Sequence, residues 1–522
     1  MRSIFRIGAI RLSATVCGAN PVIVLKQKTR TARLRSFSKA QNFKGFSKFN
    51  EITDKAKKYY KLKVCNLNGY KHQPMHNRRR FIKNGAAGLA LATSSLAFPM
   101  EILRSMRYKV GPNDTINIGL IGCKGMGFSD LTSFLKQSDV NVIALCDVDE
   151  SVLRQRTQDL EKAGIKKPKW YRDYRVLLED KDIDAVIIGT PDHWHCLQLT
   201  DALQANKDVY CEKPIANSIQ EADIMLSKVM ASDRMVQIGQ WQRSQPHFVD
   251  AIDFVHSGAL GEIRLVKAWA YQGWMKPVAP MPNSAVPQGV DYNMWLGPAP
   301  ERPFNANRFH FNFRWFWEYA GGLMTDWGVH LIDYALYGMK ASTPKSVMAL
   351  GGKFAYPNDA SETPDTLQTV YEFDGFSILW EHATGIDGGN YRRDHGIAFI
   401  GNNGTLVLDR NGWEVMPENE FQGWGQDGIP KMKAAKYDSG GVSGLDLHTK
   451  NFTDAMKSRN SASLNAPIQV GYDAARVSHM GNVAYKTGNR IYWNDAKGAF
   501  EEEKSNFLSR AIYHNGWKLP AF

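Results

Sequence analysis

Residues 116–127 read Ile-Asn-Ile-Gly-Leu-Ile-Gly-Cys-Lys-Gly-Met-Gly, a short apolar run that leads directly into a glycine-rich turn. Such a run predicts a strand buried on both faces, and the spacing predicts a helix that begins near Ser129. Glycines at 122, 125 and 127 allow the backbone to turn sharply between the two elements. Strand, glycine turn and helix in this order predict an α/β fold with a doubly wound parallel sheet.

The chain beyond this turn repeats the pattern. Further apolar runs separated by helical lengths lie at 142–145, 185–188, 209–211 and 236–238. Each run is bounded by Gly, Asp or Pro, as expected for buried strands of a parallel sheet. We therefore predict a Rossmann-type domain over residues 113–239.

The glycine turn also predicts a dinucleotide site, because its amides and those of the following helix can bind a pyrophosphate. A GxGxxG pattern would need glycine at 124, where this chain has lysine. Asp147, 20 residues after Gly127 at the end of the second strand, is placed to accept the ribose hydroxyls and to repel a 2′-phosphate, which favours NAD over NADP. An ordinary strand-end turn residue is the alternative for Asp147. The candidates in the turn are Gly122, Cys123, Lys124, Gly125, Met126 and Gly127.

Three later motifs carry a family resemblance. Residues 189–195 read Gly-Thr-Pro-Asp-His-Trp-His, residues 212–214 read Glu-Lys-Pro, and Asp326 and His330 form an Asp-x-x-x-His pair. On one helix the last spacing would place both side chains on the same face. Together with the glycine turn, these motifs resemble the Gfo/Idh/MocA oxidoreductase family over residues 115–490.

The resemblance implies a second, substrate-binding α/β domain over 240–522 with an open, mostly antiparallel sheet. Hairpin signals at Asp374-Gly375 and at 402–404 agree with it. It further implies that His330 is the catalytic acid/base, that Asp326 positions the substrate or the imidazole, and that Lys213 polarises the reacting oxygen. Each residue has a purely structural alternative. The cofactor contacts implied outside the turn are Thr190, Pro191, His195, Glu212, Lys213 and Gln240, with His195 alternatively orienting its loop.

The segment 309–319 alternates aromatic and polar residues, which predicts a half-buried extended strand. Two uses of its rings remain open: packing, or a platform for a sugar, since aromatic faces pack against sugar C–H groups. The substrate candidates are His310, Arg314, Trp315 and Trp317, together with Arg243.

The net charge of +13 is concentrated at the N-terminus. Residues 1–83 hold 21 Lys or Arg and two acidic residues, a net charge of +19, and the remainder has 44 basic and 50 acidic residues. The mildly acidic body argues against a nucleic-acid partner. Arg79-Arg80-Phe81-Ile82-Lys83 and the apolar stretch after it resemble a twin-arginine export signal at 75–100. Residues 1–74 are expected to be a disordered basic leader or a mis-assigned start.

These signals predict an exported, periplasmic protein with no stable membrane insertion after processing, or a cytoplasmic one if the signal is not used. Six cysteines without CxxC spacing indicate neither a disulfide framework nor a thiolate metal site, and no metal is expected. The main hypothesis is an NAD-dependent oxidoreductase that acts on a sugar, sugar acid or polyol and retains its cofactor. The alternatives are a redox-neutral glycosidase or lyase that proceeds through a 3-keto sugar, and a non-catalytic sensor. A homo-oligomer is expected from the resemblance.

Overall fold

The protein is described here by a computed structural model that covers residues 115–522. The basic leader predicted at 1–74 and the export signal predicted at 75–100 lie outside the described residues.

The N-terminal domain is built on a six-stranded sheet with the order β3-β2-β1-β4-β5-β6. All of its strand pairs are parallel, and the order reverses between β1 and β4, which leaves a crevice at the carboxyl ends of the strands. The predicted doubly wound sheet is therefore confirmed. Its strands are β1 (Ile116–Ile121), β2 (Val140–Cys146), β3 (Lys169–Tyr171), β4 (Ala185–Ile188), β5 (Asp208–Cys211) and β6 (Val236–Ile238).

The helices of this domain connect successive strands. The first begins three residues before the predicted Ser129, because Gly125 adopts φ 53° and ends the turn there. The amides at the start of α1 therefore lie closer to the glycine turn than the sequence predicted. The helices are α1 (Met126–Phe134), α2 (Glu150–Lys162), α3 (Tyr174–Glu179), α4 (His195–Gln204) and α5 (Ile219–Met230).

The second domain contains a ten-stranded sheet with the order β16-β13-β12-β11-β7-β10-β9-β8-β17-β18. Within this sheet, among the described strands, only β7 and β10 pair in parallel, so the predicted mostly antiparallel sheet is confirmed. Both predicted hairpins form. The strands are β7 (Ile263–Gln272), β8 (Ser346–Gly352), β9 (Thr366–Glu372), β10 (Ser377–Thr384), β11 (His395–Gly401), β12 (Gly404–Asp409), β13 (Gly412–Pro417), β16 (Ala435–Asp438), β17 (Ile491–Asn494) and β18 (Ala499–Phe500), with a separate small pair of β14 (Asn419–Glu420) and β15 (Ile429–Pro430).

Some helices of the second domain pack against this sheet, and others reach the first domain. They are α6 (Pro246–His256), α7 (Tyr292–Leu296), α8 (Leu323–Asp326), α9 (Gly328–Met339), α10 (Gly444–Ser458), α11 (Ile468–Thr487) and α12 (Glu503–Leu508). Phe452 and Met456 of α10 belong to the same apolar cluster as Leu131 and Phe134 of α1. The Ser133 hydroxyl donates to the Asp446 carboxylate at 2.7 Å. Helix α10, although it comes late in the chain, therefore completes the apolar core of the first domain next to α1.

Candidate active site

A cavity of about 690 Å³ lies at the carboxyl ends of β1, β2, β4 and β5. Residues of the second domain, among them Arg314, Asp326 and His330, form its other wall. Ligands of open α/β sheets bind at this position, where the strand order reverses. The cavity has two chemically distinct ends, which we call the cofactor end, at Gly122 and Asp147, and the reacting end, at Lys213 and Asp326.

Backbone contacts shape the cofactor end. Gly122 has φ 85°, and a Cβ there would lie 2.7 Å from the carbonyl carbon of Gly189 and from the Thr190 nitrogen. A Cβ on Gly127 would lie 2.3 Å from the Gly122 oxygen. The turn after β1 and the loop after β4 therefore approach so closely that any side chain would force them apart. This is the cradle that a pyrophosphate needs.

Asp147 is held at the end of β2 by two backbone amides. Cys123 N–H donates to Oδ2 at 2.8 Å, and Asp149 N–H donates to Oδ1 at 3.0 Å. Burial raises the pKa of the carboxyl to about 6, although both amides act in the opposite direction. At neutral pH the group is mostly ionised, and each oxygen keeps a lone pair for a ligand hydroxyl. A glycine cradle beside an anchored carboxylate fits an adenosine diphosphate moiety of the NAD type.

Charged side chains form the reacting end. Lys213, directly after β5, donates from Nζ to the Asp326 carbonyl at 2.8 Å and to Asp326 Oδ1 at 3.2 Å. Arg314 Nε donates to the same Oδ1 at 3.2 Å. Burial would raise the pKa of Asp326, but the two cations outweigh it and hold the pKa at about 2. Asp326 is therefore a fixed carboxylate between two cations.

His330 lines the cavity from the first turn of α9. The helix predicted to carry both Asp326 and His330 is broken at Trp327 into α8 and α9, yet both residues still reach the cavity. The imidazole is only 6% exposed, and its Nδ1 has no hydrogen-bond partner among residues 115–522. Burial, together with Lys213 and Arg410, places the pKa of His330 well below its usual range. The ring is thus neutral at physiological pH and can accept a proton.

The structure brings most of the predicted cofactor residues into the cavity. Its lining includes Gly122, Lys124, Gly125, Met126, Asp147, Thr190, Pro191, Glu212 and Lys213. Gly127 instead makes the backbone contact described above, and the buried Cys123 contributes its amide to Asp147. The ring of His195 lies between the carbonyls of Pro214 and Thr190, at 2.7 and 2.8 Å, which ties two loops together. Gln240 is buried outside the lining.

The aromatic segment differs from the predicted strand. Residues 310–315 form a 3₁₀ turn, so the alternating rings do not share one face. Trp315 packs into a buried aromatic cluster with Tyr319, and Trp317 donates from Nε1 to the Glu362 carbonyl at 3.1 Å. Neither tryptophan lines the cavity, because the turn directs both rings into packing contacts.

Of the other substrate candidates, Arg314 and His310 do line the cavity. His310 lies at the cofactor end, where its Nε2 is 2.9 Å from Asp149 Oδ2. Arg243 is outside the lining, and its Nε donates to Asp333 Oδ2 at 3.0 Å. Arg314 is therefore the predicted substrate residue that the fold brings to the reacting end.

Two charged residues at the reacting end of the cavity were not among the predicted site residues. Asp192 begins the short turn after β4, and Arg410 stacks on Trp327 with its guanidinium carbon 4.6 Å from the ring centre. The position of Asp192 at a strand end, directly after Thr190-Pro191, was a usable signal. Arg410 follows β12, a strand of the second sheet, and no motif marks it.

The part of the chain from residue 115 to residue 522 lacks two features. No helix in this part of the chain is long and apolar enough to cross a membrane. Within the same residues, no group of His, Cys, Asp or Glu side chains has the arrangement of a metal site. The four cysteines of this range are free and buried.

The fold and the cavity together define a two-domain protein with a Rossmann-type dinucleotide site. Residues 116–240 match the family described as oxidoreductase family, NAD-binding Rossmann fold, and residues 262–409 match its C-terminal alpha/beta domain. The chain belongs to the Gfo/Idh/MocA oxidoreductase family. The predictions of the family, of an enzyme and of NAD as cofactor are thereby confirmed.

Individual relatives share parts of the chain. It is 30% identical over 159 residues to a glycosyl hydrolase family 109 protein of Shewanella pealeana, covering 28% of this chain and 35% of the relative. It is 30% identical over 187 residues to inositol 2-dehydrogenase of Salmonella paratyphi B, covering 35% of this chain and 54% of that relative. The chain thus spans about a third to a half of these curated relatives. Levoglucosan dehydrogenase, solved with NADH and levoglucosan, shares the fold with a TM-score of 0.55 at 17% identity, over 73% of this chain and 99% of that one.

Proposed function

We propose that this protein oxidises a hydroxyl group of a sugar, sugar acid or polyol, with NAD as the hydride acceptor. The observation that carries the proposal is the meeting of Lys213, Asp326 and His330 in the cavity that also contains the glycine cradle. When bound, NAD supplies the carbon that takes the hydride. The remaining task, removal of the hydroxyl proton, belongs to residues of this chain.

The states of these residues suit that task. His330 is neutral and buried, so it can accept the hydroxyl proton as general base. Lys213 is oriented by Asp326 and presents a positive charge where negative charge develops on the oxygen. Asp326 remains ionised and keeps the lysine in place. Arg314 adds a donor suited to a second hydroxyl or to a carboxylate of the substrate.

Relatives support a carbohydrate substrate by their names, which include inositol 2-dehydrogenase and, among proteins of the same fold, levoglucosan dehydrogenase.

We also propose that the cofactor is retained between turnovers, because a segment of the second domain is hydrogen-bonded to residues 148–150, which directly follow Asp147 of the cofactor end. Glu150 N–H donates to the Gly289 carbonyl at 3.1 Å, and Asp291 N–H donates to the Val148 carbonyl at 2.9 Å. The contact of His310 with Asp149 lies beside them. We call residues 287–291 with His310 the strap. Its position next to Asp147 indicates that release of the adenosine requires these contacts to open.

Retention would agree with export by the twin-arginine route to the periplasm, which we propose from the signal-like sequence at 75–100. That route carries folded proteins, so NAD would be bound before export.

Purification and dialysis test the retention. The protein should keep close to one NAD(H) per chain, measured after acid extraction. His310→Ala should accelerate NADH release about tenfold, since one charge-assisted contact contributes about 1.5 kcal/mol. His256→Gln, a histidine outside the cavity, is the matched control and should release NADH at the wild-type rate. A protein that purifies empty and does not bind added NAD would rule out the proposal.

A second candidate function is redox-neutral cleavage of a glycoside through a 3-keto sugar. Relatives named glycosyl hydrolase family 109 agree with it, and Asp192 specifically favours it. Hydroxyl oxidation needs one acid/base, which His330 supplies, whereas glycoside elimination also needs a proton for the departing oxygen. Cleavage of a 4-nitrophenyl glycoside without added oxidant, with exchange of the C2 hydrogen for solvent deuterium, would distinguish this function from simple oxidation.

A further inference from the structure

Asp192 is a buried carboxyl in the reacting part of the cavity that the oxidation chemistry leaves unused. It is 7% exposed and lines the cavity from the first position of the turn that follows β4. The charged groups that act on it are Arg314, Lys213 and Asp326. Asp192 therefore belongs to the reacting end rather than to the cofactor end.

The four carboxyl side chains that line the cavity differ in their hydrogen-bond and ion-pair partners. Both oxygens of Asp147 accept backbone N–H groups at the cofactor end. Asp326 is engaged by Lys213 and Arg314. Glu212 Oε2 accepts the Lys213 amide N–H at 3.3 Å. Asp192 forms no salt bridge with another described residue, and the hydrogen bond that acts on its carboxyl comes from its own backbone N–H, so no side chain engages it in the cavity lining.

Its protonation state suits a donor. Burial raises the pKa of Asp192 to about 8; Arg314 and Lys213 act against this rise, and Asp326 adds to it. Asp326, in the same part of the cavity, has a pKa of about 2. When the environments of two carboxyl groups separate their pKa values in this way, one group is protonated and can act as an acid, and the other stays ionised. At neutral pH Asp192 carries a proton that it can deliver.

We propose that Asp192 is a catalytic residue that protonates the glycosidic oxygen as the bond to C1 breaks. The proposal rests on the second candidate function, glycoside cleavage through a 3-keto sugar. NAD held by the glycine turn and Asp147 would supply the oxidation at C3 before this step and the return of the hydride after it, so the overall reaction would be redox-neutral.

The step balances as an elimination. The C2 proton goes to His330, which has by then passed the earlier hydroxyl proton to solvent. The electron pair of the C2–H bond forms the C1=C2 double bond, and the pair of the C1–O bond goes to the departing oxygen. Asp192 transfers its proton to that oxygen, which leaves as an alcohol, and the resulting Asp192 carboxylate is reprotonated from water.

The test uses the NAD-loaded full-length protein and Asp192→Asn. The amide is neutral and has nearly the shape of the neutral acid, so the variant should fold with an unchanged circular dichroism spectrum. A panel of 4-nitrophenyl hexosides in both anomeric forms selects the sugar, and phenyl and 2,4-dinitrophenyl glycosides of that sugar then vary the leaving group. Asp223→Asn is the matched control, because burial also raises the pKa of Asp223, but its carboxylate accepts a hydrogen bond from the Tyr472 hydroxyl and neither residue lines the cavity.

Loss of a general acid costs about 10²- to 10⁴-fold. We expect that loss in Asp192→Asn for the phenyl glycoside, and a much smaller loss for the dinitrophenyl glycoside, whose phenolate leaves without help. In D₂O, the phenyl glycoside recovered from the variant should carry more deuterium at C2 than that recovered from wild type, because C2 deprotonation continues while C1–O cleavage stalls. Asp223→Asn should match wild type in both measurements.

The two failures are distinguishable. If wild type cleaves the panel but Asp192→Asn loses the same factor for every leaving group, with no gain of deuterium, the role of Asp192 is wrong and glycoside cleavage stands. If wild type cleaves no member of the panel, the second candidate function fails, and the role given to Asp192 fails with it.

Discussion

The two ends of the cavity are built by different means. The cofactor end is formed by backbone: glycines at 122 and 127 in close contact with the loop at 189, and amides that hold Asp147. The reacting end is formed by charged side chains that come from three widely separated parts of the chain, at 192–213, at 314–330 and at 410. Cofactor binding at the first end should therefore depend on shape, and turnover at the second end on charge. Single substitutions should change one of these two properties without the other.

The largest expected effect lies at the reacting end. His330→Gln removes the general base, so turnover should fall by about 10²- to 10⁴-fold. NAD affinity should stay within about threefold of wild type, because the cofactor end is intact. Steady-state kinetics and fluorescence titration with NADH measure the two quantities. Equal losses of turnover and affinity would show that the two ends are not separable.

At the cofactor end, Gly127→Ala should have the opposite signature. The new Cβ would meet the Gly122 carbonyl oxygen at 2.3 Å, which forces the turn to move. Overpacking of this kind costs about 1–3 kcal/mol, or a roughly 10- to 100-fold loss of NADH affinity if the cost falls on the bound state. Gly388→Ala is the control, since a Cβ there has nothing within 4 Å. Unchanged NADH affinity in Gly127→Ala would contradict the cradle.

The ion pairs of Asp326 should appear as a pH-dependent contribution to stability. Its folded pKa of about 2 lies below the ordinary value of 3.8, so the carboxylate stabilises the fold above about pH 4, and this stability is lost as the pH falls toward 2. The shift corresponds to about 2 kcal/mol. In denaturant unfolding, the free energy of unfolding of wild type should exceed that of Asp326→Asn by this amount at pH 7 and by less at pH 3. A gap independent of pH would exclude an ionised Asp326.

The smallest expected effect concerns the choice between NAD and NADP. Asp147→Ser removes the charge that repels a 2′-phosphate, and the ratio of NADP to NAD affinity should rise about tenfold, equivalent to about 1.4 kcal/mol. Because burial raises the pKa of Asp147 to about 6, the wild type should itself discriminate less as the pH falls below 6 and the group becomes neutral. The serine variant should lose that pH dependence. Competition titrations at pH 5.5 and 7.5 measure it.

The contrast between the ends also explains what the sequence could predict. Strands, glycine turn and Asp147 follow one another within about thirty residues, so local pattern was sufficient for the sheet and the cofactor end. Lys213 and the Asp326–His330 pair were found through family motifs rather than through spacing alone. Arg410 reaches the cavity only because β12 lies beside β11 in the second sheet, which no local pattern encodes.

The aromatic segment shows the limit of periodicity. Alternation over 309–319 predicted a strand, but tertiary packing of Trp315 and Tyr319 into a buried cluster favours a 3₁₀ turn instead. The same turn directs Arg314 toward Asp326, a contact that an extended segment would not predict. The burial of these side chains determines the backbone conformation of this segment, and the alternating sequence pattern does not predict that burial.

The most direct test of the account is a single-turnover measurement. NAD-loaded wild type and His330→Ala are mixed with a panel of hexoses, hexuronic acids and inositols, and formation of bound NADH is followed by its near-ultraviolet absorbance. The account predicts NADH formation with at least one panel member in wild type and a loss of at least about a hundredfold in rate in His330→Ala, with equal NAD content in both proteins. NADH formation at the same rate in both, or none in wild type with any member of the panel, would contradict it.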